Sequence, residues 1–160
     1  MQDGSVVLGC SASSNLTAAT STSSTGIGFH MTGANSIIEN CTAKGNRGDG
    51  IRLSTGSLAL GNDSALNGLN GDGAGIHATG NHNRIEANHV TSNDRGIDVD
   101  VAANLIIRNS ASNNTTNYAI AANNVFGAIV DRTSPASAAV NGNGAPSSIS
   151  TTDPWANIVY

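Results

Sequence analysis

Short apolar runs recur along the chain at intervals of 21 to 25 residues, and each run alternates apolar with polar positions. The segments TGIGFHM, DGIRLST, AGIHATG, RGIDVDV and YAIAANN carry isoleucine at positions 27, 51, 76, 97 and 120. Another apolar residue follows two positions after each isoleucine, and a period of two is typical of a β-strand with one face in a core. The pattern therefore predicts one such strand in every repeat.

A second series of runs, VVLGCSAS, IIENCTAK, ALGNDSAL, RIEANHVT and LIIRNSAS, accompanies the first. It places one small or polar residue of each repeat in a common register: Cys10, Asn40, Asn62, Asn88 and Asn109. Each repeat therefore contains at least two strands, and a unit so short can bury its apolar side only by stacking on its neighbours. We predict an all-β, right-handed parallel β-helix of about five coils. The four asparagines are interpreted as a ladder, with amides that bond the next coil and a left-handed backbone at the corner.

Two short motifs carry a family resemblance. The first is N-x-I-x-x-N, in NSIIEN, NRIEAN and NLIIRN, and the second is G-[DA]-G-I, in GDGI and GAGI. Over residues 5 to 130 the chain resembles the right-handed parallel β-helix superfamily, which includes pectate lyases, polygalacturonases and NosD-like periplasmic repeat proteins. A leucine-rich repeat has a similar period, but the chain lacks a repeated L-x-x-L-x-L and no segment reads as a helix. The resemblance implies the C-terminal portion of a secreted bacterial repeat protein, extracellular or on the cell surface.

The composition is typical of a chain with many tight turns, which would form the corners between the strands. The sequence has 21 asparagines and 19 glycines, while aromatic residues make up 3% and charged residues 11%. Asparagine and glycine tolerate the left-handed backbone that tight corners require. The repeat ends near residue 124, and the remainder contains all three prolines and the single tryptophan. We predict coils over residues 1–124 and a tail, residues 125–160, that caps the last coil and packs on one face.

Charge and hydropathy exclude several functions. The net charge is −4 and the seven basic residues are scattered, so nucleic acid is not expected as a partner. No apolar stretch approaches the roughly 18 residues of a membrane span, and no signal peptide is recognised in this chain. The first coil has no cap of its own, and its open strand edges favour end-to-end or lateral self-association.

Residues between the inward positions should form two outward columns on the first series of strands. The first column is Gly28, Arg52, His77, Asp98 and Ala121, and the second is His30, Ser54, Thr79, Asp100 and Asn123. The second series has apparent outward aliphatic residues, among them Ile38, Leu58, Leu60, Leu105 and Ile107, which the tail or a partner should cover.

The outward columns contain one group of residues suited to catalysis or ligand binding. Asp98 and Asp100 should lie roughly 7 Å apart on one strand, with His77 and Arg52 on the preceding coils. Two carboxylates could serve an inverting glycosidase, or a lyase that uses Ca²⁺. Together with Thr79, the same side chains could instead bind a glycan, or they could form a solvated charge ladder that only fixes the register of the coils.

Metal binding and cysteine chemistry have weaker signals. No H-x-x-x-H or local Cys/His spacing is present, so we predict no metal site and no cofactor, except Ca²⁺ if the chain is a lyase. Cys10 and Cys41 should come close on adjacent coils. The sequence is compatible both with a disulfide between them and with a pair of packed thiols.

Three functional hypotheses follow. The first is a non-catalytic structural or glycan-binding module. The second is a polysaccharide lyase or glycoside hydrolase acting on an acidic polysaccharide through Asp98, Asp100, His77 and Arg52. The third is a self-assembling β-helix subunit.

Overall fold

The computed structural model describes residues 2–16, 26–68, 73–133 and 151–160, and within these ranges every regular element is a β-strand. The strands form three parallel sheets. Sheet 1 contains β1 (Val6–Leu8), β4 (Ile37–Glu39), β7 (Leu58–Leu60), β10 (Arg84–Glu86), β13 (Leu105–Ile107) and β16 (Val125–Phe126). Sheet 2 contains β2 (Ser11–Ser13), β5 (Thr42–Lys44), β8 (Asp63–Ala65), β11 (His89–Thr91), β14 (Ser110–Ser112), β17 (Ile129–Asp131) and β18 (Asn157–Val159). Sheet 3 contains β3 (Phe29–Met31), β6 (Ile51–Leu53), β9 (Ala74–Ala78), β12 (Arg95–Val99) and β15 (Thr116–Ile120).

Through β15, consecutive strands visit sheets 1, 2 and 3 in turn, and each strand pairs in parallel with its equivalent one turn away. The predicted parallel β-helix is therefore confirmed. The five strands of sheet 3 delimit four complete turns, slightly fewer than the expected coils. Among the described residues, no helix is long and apolar enough to cross a membrane.

The core is a stack of inward side chains from the three sheets. Its members are Phe29, Met31, Ile38, Ala43, Ile51, Leu53, Ala59, Ile76, Ala78, Ile85, Val90, Ile97, Val99, Ile106 and Ala111, joined by Cys41. All are at most 7% exposed. Because each repeat contributes apolar area only when its neighbours cover it, the core stabilises the coils collectively.

The predicted register of the first series holds in the middle of the chain and shifts by two residues at its ends. Phe29, not Ile27, pairs with Ile51, and Tyr118, not Ile120, pairs with Ile97. In the first and last repeats the alternation of apolar and polar residues continues for one extra step. The sequence alone therefore allows two equivalent alignments of these strands with their neighbours. The inward position of the first strand is filled by Phe29, with Ile27 outside the strand.

Three ladders of side-chain hydrogen bonds follow the three corners. In each, a backbone N–H donates to the side-chain oxygen of the equivalent residue on the next coil, at 2.7 to 3.3 Å. Ladder 1 is Cys41, Asn62, Asn88, Asn109 and Asn157. Ladder 2 is Asn15, Asn46, Asn67, Asn93 and Asn114. Ladder 3 is Ser36, Ser57, Asn83, Asn104 and Asn124.

Asn40 does not belong to ladder 1, which corrects the sequence interpretation. It is exposed with φ of 52°, one residue before the ladder position, which Cys41 occupies. Gly61, Ala87 and Arg108 have the same left-handed backbone immediately before Asn62, Asn88 and Asn109. Two consecutive residues therefore share the corner: one takes the left-handed backbone and the next provides the ladder amide.

The C-terminal residues extend two of the sheets. Strand β16 pairs with β13, while β18 pairs with both β14 and β17. Residues 134–150 of the predicted cap lie outside the described residues, and the boundary at residue 124 stays a prediction.

The outer face of sheet 1 is partly covered by the tail. The guanidinium of Arg108 lies 4.1 Å from the centre of the Trp155 ring, and Ile107 beside it is buried. Leu58 and Leu60 remain partly exposed. Ile38 points into the core, which corrects its outward assignment, because Ile37 and Glu39 occupy the outer positions of β4.

Candidate functional site

The candidate site lies on the outer face of sheet 3. The register places His30, Arg52, His77, Asp98 and Ala119 in one outward column. Gly28 and Ala121 therefore do not belong to this column, and His30 moves into it, as a consequence of the two-residue shift at both ends. The central members Arg52, His77 and Asp98 lie on adjacent coils as the sequence indicated.

His77 is the centre of the group. Its Nε2 atom lies 3.0 Å from Asp100 Oδ2 and 3.9 Å from Asp98 Oδ2. Its Nδ1 atom lies 3.0 Å from Oδ2 of Asp49, a residue that the sequence analysis did not single out. The structure thus brings both predicted carboxylates to one ring nitrogen and a third carboxylate to the other.

Asp49 fixes the position of the imidazole. Its side chain is 2% exposed, and its Oδ1 accepts a hydrogen bond from the backbone N–H of Ala74 at 2.8 Å. Its Oδ2 is 2.6 Å from Nε of Arg52, so Arg52 pairs with Asp49 rather than with either predicted catalytic carboxylate. Asp49 can therefore hold Nδ1–H of His77 and direct Nε2 toward Asp98 and Asp100.

Asp98 is a buried carboxylate with incomplete hydrogen bonding. It is 5% exposed, and Arg95 Nη1 lies 3.0 Å from its Oδ2. That oxygen is close enough for an ion pair, but no aligned hydrogen bond reaches it from the described residues. Since a buried anionic oxygen without full hydrogen bonding is unfavourable, Asp98 gains stability from a bound cation or proton.

The group is electrostatically coupled. Burial raises the pKa of Asp98 above its usual value, although the charges of His77 and Arg95 act in the opposite direction. Burial lowers the pKa of His77, but hydrogen bonds and charges from Asp49 and Asp100 outweigh it and raise that pKa above 6.5. Burial likewise opposes ionisation of Asp49, yet His77, Ala74 and Arg52 together hold its pKa below the usual value.

The raised pKa of His77 predicts a fall in stability with increasing pH. The protonated ring stabilises the fold below the unfolded pKa of about 6.5, and this contribution disappears as the pH rises through the higher folded pKa. We expect the free energy of unfolding of wild type, relative to His77→Gln, to decrease between pH 6 and pH 8. Urea unfolding of both proteins at the two pH values measures this difference. A wild-type advantage that grows with pH would contradict the assignment.

The other predicted residues lie near this group in different roles. Thr79 is exposed, and its hydroxyl donates to the carbonyl of Leu53 at 3.0 Å. His30 is exposed for the most part, and the burial of the remainder together with the charge of Arg52 lowers its pKa. Asn123 has a left-handed backbone at a corner and lies outside both columns. The residue equivalent to Asp100 on the last coil is Ala121, because Asp98 pairs with Ala119.

Asp49 and Arg95 could not be identified by alternation. Both lie two residues before an inward isoleucine, at Ile51 and Ile97, so a strict period of two assigns them to the core. Asp49 precedes β6, and the pairing of β12 includes Arg95 but omits Gly96, so strict alternation does not extend to these two residues. The only signal was the charge itself, because the equivalent positions of the other repeats, Ile27, Ala74 and Thr116, are uncharged.

The arrangement can bind a divalent cation. The nearest donor atoms of His77, Asp98 and Asp100 all lie within 4.8 Å of one another, and no other three-residue group of this kind occurs among the described residues. His77 lies one complete coil before Asp98 and Asp100, which is why local metal-binding spacings are absent. One imidazole and two carboxylates form a mixed nitrogen and oxygen donor set that first-row transition metals accept.

Comparison with known proteins identifies the family. No curated protein and no solved structure matches the chain significantly. Residues 2–146 match the family described as periplasmic copper-binding protein (NosD). This match covers most of the chain and agrees with the parallel β-helix described above. The chain therefore belongs to the NosD family.

Proposed function

We propose that this chain is a cell-envelope β-helix module that binds Cu²⁺ through His77, Asp98 and Asp100. The observation that carries the proposal is the convergence of both carboxylates on His77 Nε2, with Asp49 on the opposite ring nitrogen. A carboxylate that orients a metal-binding histidine in this way is a recurrent feature of metal sites. The family's description as periplasmic and copper-binding supports both the location and the metal.

The donor set fits copper on chemical grounds. Imidazole suits Cu²⁺, and for a given set of nitrogen and oxygen ligands Cu²⁺ binds more tightly than the other divalent metals of its row. The three aspartates contribute three negative charges, while Arg52 and Arg95 contribute two positive ones. A neutral His77 therefore leaves a net charge of −1, which attracts a cation. Copper bound here would supply a positive charge to the buried Asp98 oxygen, and Arg95 would then have to release that oxygen.

Copper titration in competition with nitrilotriacetate tests the proposal. We expect one Cu²⁺ equivalent on wild type and an affinity about 100-fold lower in His77→Gln, because the only nitrogen ligand is lost. Arg95→Gln should increase the affinity, since a competing charge 3.0 Å from Asp98 disappears. His89→Gln is the matched control, because His89 also contacts an aspartate, Asp63, but lies on sheet 2. Equal affinity of His77→Gln and wild type would refute the site.

Glycan binding with cleavage is a second candidate, supported by the different environments of the two carboxylates. Asp98 is buried with a raised pKa, whereas Asp100 is exposed. Burial favours the protonated form of Asp98, and glycoside hydrolysis uses a carboxylic acid of raised pKa together with a second carboxyl group. A panel of acidic and neutral polysaccharides, with and without Ca²⁺, separates binding from cleavage. Cleavage by wild type that Asp98→Asn abolishes would favour this candidate over copper binding.

A further inference from the structure

Cys10 and Cys41 form a stacked pair of thiols at the first corner of the helix. Both are free. Cys10 Sγ lies 3.3 Å from the carbonyl of Leu8, and Cys41 Sγ lies 3.2 Å from the carbonyl of Glu39. Each thiol thus donates to the carbonyl two residues before it, so the two side chains have the same orientation. Their sulfur atoms are therefore separated by about one strand spacing, roughly 4.8 Å.

The Cys41 sulfur faces the first coil. It lies 3.3 Å from the backbone nitrogen of Cys10, which donates a hydrogen bond to it, and 3.7 Å from the carbonyl of Val7. Cys41 is 1% exposed, whereas Cys10 is exposed, so the pair can be reached from the side of Cys10. A metal binds the thiolate form of cysteine, so binding here would release the S–H proton of each residue.

We propose that Cys10 and Cys41 bind Cu⁺ as a two-coordinate dithiolate, separately from the Cu²⁺ site on sheet 3. The expected separation of about 4.8 Å is far wider than a disulfide bond of about 2.05 Å. It is close to the separation of two thiolates on opposite sides of a metal, each about 2.3 Å away. Thiolates select soft metals.

The number of ligands favours Cu⁺ over zinc or an iron–sulfur cluster. Structural zinc and iron–sulfur sites need four protein ligands. Among the described residues, no further histidine, cysteine, aspartate or glutamate joins the two cysteines. Cu⁺ accepts two ligands. On binding, both S–H bonds break, two Cu–S bonds form, two protons pass to solvent, and copper remains Cu⁺.

The test is an anaerobic titration of the reduced protein with Cu⁺ in competition with bicinchoninate. Wild type should retain one Cu⁺ and gain a near-ultraviolet sulfur-to-copper absorption band. Cys10→Ser should lower the affinity at least 100-fold and abolish the band, while its fold should match wild type because Cys10 is exposed. Cys41→Asn is the second variant: it places an asparagine in ladder 1, so its circular dichroism should match wild type while Cu⁺ binding is lost. His77→Gln should leave Cu⁺ binding unchanged, so the two copper sites fail or succeed independently.

Two results would overturn the proposal. One is equal Cu⁺ retention by wild type and folded Cys41→Asn. The other is a reduced wild type that retains no Cu⁺ yet loses two hydrogens in mass on treatment with oxidised glutathione, which would identify the pair as a disulfide.

Discussion

Asn88→Ala should lower the free energy of unfolding by about 3 to 4 kcal/mol. Asn88 is 1% exposed, and its Oδ1 accepts bonds from both the backbone N–H and the side-chain Nδ2 of Asn62, at 2.9 Å each. Its Nδ2 donates to Ala59 O and to Asn109 Oδ1, at 3.0 Å each. Alanine removes these partners and leaves buried groups of two neighbouring coils without hydrogen bonds. Equilibrium urea unfolding measures the loss.

Asn40→Ala is the matched control for the ladder. Asn40 is exposed, and its amide makes one long hydrogen bond, 3.4 Å to Glu39 Oε1. Its replacement should cost only about 1 kcal/mol, because alanine is disfavoured at a left-handed φ of 52°. Equal losses in Asn40→Ala and Asn88→Ala would show that the ladder register is wrong.

Gly75→Ala should destabilise the fold by about 2 to 3 kcal/mol through overpacking. A Cβ atom at Gly75 would lie 2.8 Å from Asn93 Nδ2, a member of ladder 2, and 2.8 Å from the carbonyl of Gly96. Asn93 is fixed by its ladder, and Gly96 lies between Arg95 and Ile97, which both pair with the neighbouring strands. Gly28 and Gly50 have an equivalent close approach to Asn46 and Asn67. The glycine before the inward residue therefore makes space for ladder 2.

Gly45→Ala tests whether steric crowding, rather than loss of glycine, causes the effect. The nearest atom to a Cβ at Gly45 would be Ser14 Oγ at 3.8 Å, so no clash arises. Its φ of +66° still costs alanine about 1 kcal/mol. In thermal unfolding, the melting temperature of Gly75→Ala should be lower than that of Gly45→Ala. The reverse order would contradict the packing of this corner.

The fold could be predicted because its determinants are local and repeated. Alternation around Ile51, Ile76 and Ile97 specifies both strand and inward face, and stacking of short units then requires a solenoid. In the end coils the sequence permits two registers that differ by two residues, because alternation continues past Phe29 and Tyr118. Only the pairing partner, which lies more than 20 residues away, resolves that choice.

Ladder 1 could be predicted only in part, for a related reason. Asparagine favours both the left-handed corner and the ladder position, so Asn40 and Asn62 look equivalent in sequence although they occupy consecutive positions of the corner. Ladders 2 and 3 were missed because their members are spread over loops without a flanking apolar motif.

The placement of the candidate site residues could be predicted only where strand alternation applies. His77, Asp98 and Asp100 follow from it, and the structure brings them together. Asp49 lies at a corner, where no periodic rule operates, so its contact with His77 required the three-dimensional path of the chain. The same limit explains why local spacing gave no indication of a metal: its ligands belong to neighbouring coils.

Pulsed electron paramagnetic resonance of the protein loaded with one equivalent of Cu²⁺ tests the central claim most directly. The account predicts modulation from the remote nitrogen of a single coordinated imidazole, lost in His77→Gln and retained in His89→Gln. Imidazole modulation that persists in His77→Gln, or that disappears in His89→Gln, would contradict the assignment of the copper site to sheet 3.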